Sequence, residues 1–171
     1  METGWKPMPV IIKVFWIIMI VDALLAIFTM FSAYSKGFDL VGITFFGLPA
    51  VNVVFVFSVL IPTLLIVGIY KRFRFVWLIT AVYFVFAAVN LLMSIPLIDL
   101  KIGMYAEEMS DSVEQLGEPL FNQILYGILF LSLLFGAAFN LAMMIIFVIK
   151  RNYFMKKPVD IKPFNDSESL S

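Results

Sequence analysis

The chain contains no cysteine and no histidine. Without cysteine there is no disulfide, no thiolate nucleophile and no thiol redox couple, and the redox compartment is left open. Without histidine the commonest general base is gone, and with both missing so are the commonest zinc and haem ligands. Charge is scarce too: Asp, Glu, Lys and Arg make up 14% of the 171 residues, against about a quarter in a soluble domain. There is no P-loop, no nucleophile elbow, no carboxylate pair within an apolar run and no folded basic domain for nucleic acid. These absences predict a protein that is not an enzyme and has no cofactor, no metal site and no nucleic-acid partner.

What fills the chain is apolar. Hydrophobic residues make up 63% of it, concentrated in four blocks: Val10–Ala33, Pro49–Tyr70, Phe75–Ile98 and Leu120–Ile149. Each is long enough to cross a hydrocarbon layer of about 30 Å as a helix. Only the first carries charge, Lys13 near its start and Asp22 near its middle. Lipid-exposed backbone must bond to itself, and the short alternating segments of a β-barrel are absent. The fold expected is therefore all-α: a polytopic four-transmembrane-helix bundle over residues 1–155, followed by a polar, disordered tail at 156–171. The first block is longer than a signal-peptide core and ends at Phe31-Ser32-Ala33-Tyr34, a poor cleavage site, so it reads as a retained helix.

Basic residues give the orientation, because Lys and Arg favour cytoplasmic loops. Lys6, Lys13, Lys71, Arg72, Arg74, Lys150, Arg151, Lys156, Lys157 and Lys162 fall on one side with four acids, a balance of +6. The other side holds Lys36 and Lys101 against Asp39, Asp99, Glu107, Glu108, Asp111, Glu114 and Glu118, a balance of −5. Both termini are then cytoplasmic and the protein sits in the cell membrane. Trp5, Tyr70, Trp77 and Tyr153 mark one interface, Tyr34 and Tyr105 the other. The connection Ser35–Leu48 is Gly-rich and apolar and is expected in the outer interface, and Tyr105–Leu116 reads as a short amphipathic helix with an acidic, solvated face. Asn165-Asp166-Ser167 is a glycosylation sequon in a tail that never meets the enzyme.

The two halves also resemble each other. Lys13-Val-Phe-Trp16 matches Arg74-Phe-Val-Trp77, and Gly47-Leu-Pro-Ala-Val-Asn52 matches Gly117-Glu-Pro-Leu-Phe-Asn122. Two parallel-repeat helical hairpins are expected from this pattern.

Asp22 is the candidate for function, since a carboxylate at mid-bilayer costs about 2.5–3.5 kcal/mol on insertion scales. The repeat aligns Asp22 with Tyr83 and Thr29 with Asn90, and rise per residue places Asn140 at similar depth. Asp22, Tyr83, Asn90 and Asn140 form the expected mid-membrane polar layer, with a bond from Asp22 to the Tyr83 hydroxyl or the Asn90 amide. Such a layer is interhelical glue, a proton or solute site, or a contact to another membrane protein. Pro62 is expected to free the Ser58 carbonyl and kink the second helix. Ser132, Gly136 and Asn140, with Ala137, read as a tight helix-packing stripe. The small size and missing catalytic groups favour an accessory, assembly or structural component whose partners are the bilayer and a second copy or another membrane protein. The alternative is a small transporter or proton-coupled sensor that uses the Asp22 layer.

Overall fold

In hydrocarbon a lone segment satisfies its backbone by closing i to i+4 bonds, so long apolar blocks become helices. The computed structural model describes residues 8–109 and 117–155, and in it four helices are long and apolar enough to cross a membrane. In chain order the helices are α1 (Val10–Lys36), α2 (Gly47–Tyr70), α3 (Val76–Met93), α4 (Ile98–Glu108), α5 (Glu118–Ile149) and α6 (Arg151–Met155). Expectations for Trp5 and Lys6, for residues 110–116 and for the tail with its sequon fall outside the described residues.

Three local features depart from the sequence reading. The chain is not purely helical. Strands β1 (Phe38–Leu40) and β2 (Ile43–Phe45) pair antiparallel, with Phe38 opposite Phe45 and Leu40 opposite Ile43. The tip residues Val41 and Gly42 both have positive φ, 51° and 76°, the turn geometry whose right-handed twist suits a two-residue hairpin. That turn normally announces itself as Asn-Gly or Asp-Gly, and here valine hides it.

The third block is also not one helix. Proline lacks an N–H and disfavours helical backbone at the residue before it. Pro96 accordingly ends α3 at Met93; a 3₁₀ turn, Ile95–Leu97, follows, and α4 begins at Ile98. The buried Ser94 hydroxyl donates to the Asn90 carbonyl at 3.0 Å and closes this end.

The third departure lies in α2, where Phe55–Leu60 widens into a π turn. The Ile61 N–H reaches five residues back to the Val56 carbonyl. In that register the donor for the Phe57 carbonyl would be residue 62, and Pro62 has no N–H to give. The freed carbonyl is thus that of Phe57, not Ser58 as an unbroken α register implies. The Tyr83 hydroxyl of α3 donates to it at 3.1 Å.

Helix α1 packs along α2, and α3 packs along α5. Gly136 lies against Leu91 at the α3–α5 contact and Ala137 is buried, while Ser132 is exposed and donates to its own helix at Leu129. The two pairs meet through a core that includes Ile12, Met19, Ile69, Phe84, Met143 and Phe147. Trp16 ties α1 to α2 by donating from Nε1 to the Ile66 carbonyl at 2.9 Å. The core lies toward the end of the molecule that carries residues 71–75 and α6, here called the basic end.

The turn at that end is tight. Phe73 N–H bonds the Gly68 carbonyl and Arg72 N–H bonds that of Ile69, with Arg72 at φ 54°, a Schellman closure of α2. Arg72 then donates from its guanidinium to the Tyr153 carbonyl at 2.7 Å and lies 4.3 Å from the Tyr153 ring centre, joining α6 to the turn. Burial there pushes the Tyr153 phenol above its usual range, with Arg72 pulling the other way.

Gly68 permits this closure, because a Cβ on it would lie 2.7 Å from Val76 Cγ2. Gly68→Ala should therefore destabilise the protein by about 1–3 kcal/mol, the range for overpacking. Adding Val76→Ala should restore part of that loss in thermal unfolding in detergent; equal loss with and without the second change would show that this contact is not the cause.

Candidate functional site

Away from the basic end the two helix pairs separate, and the space between them is lined by polar side chains from every long helix. A cavity of about 340 Å³ is bounded by Asp22 and Thr29 of α1, Ser58 of α2, Tyr83 and Phe84 of α3 and Asn140 of α5. An adjoining cavity of about 210 Å³ shares Asp22, Ser58, Tyr83 and Asn140 and adds Phe57, Phe86 and Asn90. The four residues singled out from the sequence thus border one space. Their bonds are not those expected.

Each donor has been drawn elsewhere. Tyr83 serves the Phe57 carbonyl that Pro62 leaves open. Asn140 Nδ2 donates to the Gly136 carbonyl of its own helix at 2.8 Å, and the Thr29 hydroxyl donates to Ala26 at 2.8 Å. Asn90 lies at the far margin and holds the β-hairpin: its Oδ1 accepts the Val41 N–H at 2.6 Å, and its Nδ2 donates to the Asp39 carbonyl at 3.4 Å. Asp22 makes neither a hydrogen bond nor an ion pair with any described residue, and it is exposed where it borders the cavity. The anticipated bond from Asp22 to Tyr83 or Asn90 is absent because a backbone carbonyl claims the first and a hairpin turn claims the second.

The hairpin closes one end of this space. Phe38 and Leu40, two residues apart on one strand, both line it. Between them Asp39 points away and is buried, with Lys101 Nζ at 2.6 Å from Oδ2 and the Thr44 hydroxyl donating to Oδ1 at 2.9 Å. The ammonium group thus satisfies the Oδ2 oxygen as an ion pair. A valine at φ 51° is strained, by about 1–2 kcal/mol for an L-residue in the left-handed region. Asn90 holds the turn in that state, and Gly42 approaches the Met93 carbonyl so closely that a Cβ would lie 3.2 Å from it.

The sequence reading uses Asp39 and Lys101 only in the charge balance of one side, so it misses this ion pair. The one available signal was compositional: Lys101 is one of two basic residues among seven acids on that side. A further cavity of about 340 Å³ lies between the end of α1 and α4, bordered by Ser32, Lys36, Lys101, Tyr105 and Glu107. Lys101 is already committed to Asp39, and Lys36 stands 5.8 Å from the Tyr105 ring centre. The Asp22 space differs in being bounded by all four long helices.

Asn90→Ala should leave the Val41 N–H and Asp39 carbonyl without their partners, at a cost of about 1–3 kcal/mol. The expected readout is faster amide hydrogen exchange at Val41 and across residues 38–45, with helix exchange unchanged; unaltered exchange in the hairpin would remove Asn90 from the role of clamp. Comparison with protein-family models, curated proteins and solved structures finds no match to this chain.

Proposed function

We propose that the chain is a multi-pass cell-membrane protein, a non-enzymatic four-helix bundle with both termini cytoplasmic, that binds a proton or small solute at Asp22 as a transporter or sensor. The topology is supported by the separation of charge. Lys71, Arg72, Arg74, Lys150 and Arg151 lie at one end, and Asp39, Asp99, Glu107 and Glu118 at the other. Two related hairpins are supported by the matched entries to α2 and α5, each made through a glycine at positive φ, Gly47 at 62° and Gly117 at 80°.

The observation that carries the function is Asp22 itself. Among the described residues it is the one charged side chain lining a space bounded by all four long helices, and it is bonded to none of them. A carboxylate serving as glue would be recognised by its bonds. In reconstituted vesicles under an imposed pH gradient, the wild type should exchange protons faster than Asp22→Asn protein and faster than protein-free vesicles. Equal rates in all three would overturn the reading.

The accessory or assembly role is the second reading, and one observation favours it. Less than a third of the most apolar stretch of each spanning helix is buried within the chain, 17% in α5. Much apolar surface is therefore left for lipid, a second copy or another membrane protein. Under this reading, mild-detergent extraction of native membranes recovers a stoichiometric complex, and Asp22→Asn leaves its composition unchanged; a solitary monomer in that extract would argue against it.

A further inference from the structure

The cavity has a chemical bias beyond its position, and the bias concerns which ligand it suits. Its side chains that donate hydrogen bonds are mostly turned away to backbone carbonyls: Thr29 to Ala26, Tyr83 to Phe57, Asn90 to Asp39 and Asn140 to Gly136. The Ser58 hydroxyl and the second N–H of each asparagine are the donors left over. The largest unused capacity is on the accepting side: both Asp22 carboxylate oxygens, with no described partner, and the amide oxygen of Asn140. Among the described residues, no Lys or Arg lines the space from any element, and Tyr83 is the one other titratable group there. Asp39 of the hairpin is turned to Lys101.

The rest of the wall is apolar and much of it is aromatic. Phe57 and Phe86 stack with ring centres 5.3 Å apart, Phe38, Tyr83 and Phe84 add further rings, and Met19, Leu25, Pro62 and Leu91 are among the aliphatic residues between them. Ring faces carry negative electrostatic potential and attract a desolvated cation, which an anion or a hydrated metal ion does not exploit in the same way. The 340 Å³ space is at the small end of the range for organic ligands, roughly 300–1,000 Å³, and the adjoining 210 Å³ space, which shares Asp22 and Tyr83, brings in Phe57 and Phe86. Resting on the reading of Asp22 as a binding site, we propose that the ligand is a small monovalent organic cation, an ammonium bearing apolar substituents. Its charge pairs with Asp22 while its substituents lie against Phe57, Phe86 and Tyr83. The cation and a proton then compete for one carboxylate, because protonated Asp22 has no charge to offer.

The probe is benzyltrimethylammonium, with benzenesulfonate as an anion of similar size, titrated calorimetrically into the full chain in nanodiscs. The cation should bind, the anion should not, and binding should weaken as pH falls. Asp22→Asn, checked for wild-type helix content, should weaken the cation by roughly tenfold or more, as expected on removing one partner of a desolvated pair. Phe57→Leu, which leaves the charge in place, should weaken it by about two- to thirtyfold. Equal uptake of both ions, or cation binding unmoved by Asp22→Asn, would overturn the proposal as partition into lipid. No cation binding while Asp22-dependent proton exchange persists would overturn the ligand class and leave the proton site standing. Loss of both would remove the binding reading altogether.

Discussion

The arrangement around the cavity depends on one missing hydrogen atom, the N–H that Pro62 does not have. In water a carbonyl deprived of its helical partner bonds to solvent at little cost; in a span it must find a protein donor. The π turn at Phe55–Leu60 moves the vacancy to Phe57, and the Tyr83 hydroxyl fills it. That bond joins α2 to α3 across the boundary between the two helix pairs. It also spends the donor that the sequence reading had assigned to Asp22. An interaction between two helices has thereby determined the state of a residue on a third.

The hairpin follows similar logic at the other margin of the same space. Its strands are three residues each, too short to hold a register alone, and its turn places a β-branched residue at positive φ. What holds it is external: Asn90 from α3, Lys101 from α4 and the Met93 backbone against Gly42. The break at Pro96 lies between these two contacts, with Asn90 on α3 before it and Lys101 on α4 after it. The strain at Val41 lies next to the candidate site, where stored strain is commonly found.

These two features also explain what was legible in the sequence. The four long helices were readable because twenty-odd consecutive apolar residues leave lipid-exposed backbone no other choice. Asp22, Tyr83, Asn90 and Asn140 were readable as neighbours because depth follows from rise per residue and all are polar within apolar blocks. Their bonding was not readable. Whether Tyr83 faces a carboxylate or a carbonyl depends on a register slip in a different helix, and hydrophobicity carries no trace of it. The hairpin was hidden because its turn is Val-Gly, and the ion pair because Asp39 and Lys101 are 62 positions apart in segments that read as surface.

The absent bond at Asp22 changes the weight of that residue. Interhelical hydrogen bonds in membranes average only about 0.6 kcal/mol, so glue offsets little of the roughly 2.5–3.5 kcal/mol that a mid-span acid costs on insertion. A carboxylate kept purely for packing would at least make such a bond, and donors stand close by: Tyr83, Asn140 and Ser58 border the same space. Two of them are instead committed to backbone carbonyls, which leaves an acceptor-rich, singly charged, aromatic-walled opening. Among the described residues no bond to Asp22 offsets that unfavourable term. Under the proposed reading, compensation comes from something that enters, a proton or a cation, and donors already bonded to backbone carbonyls do not compete with it for Asp22.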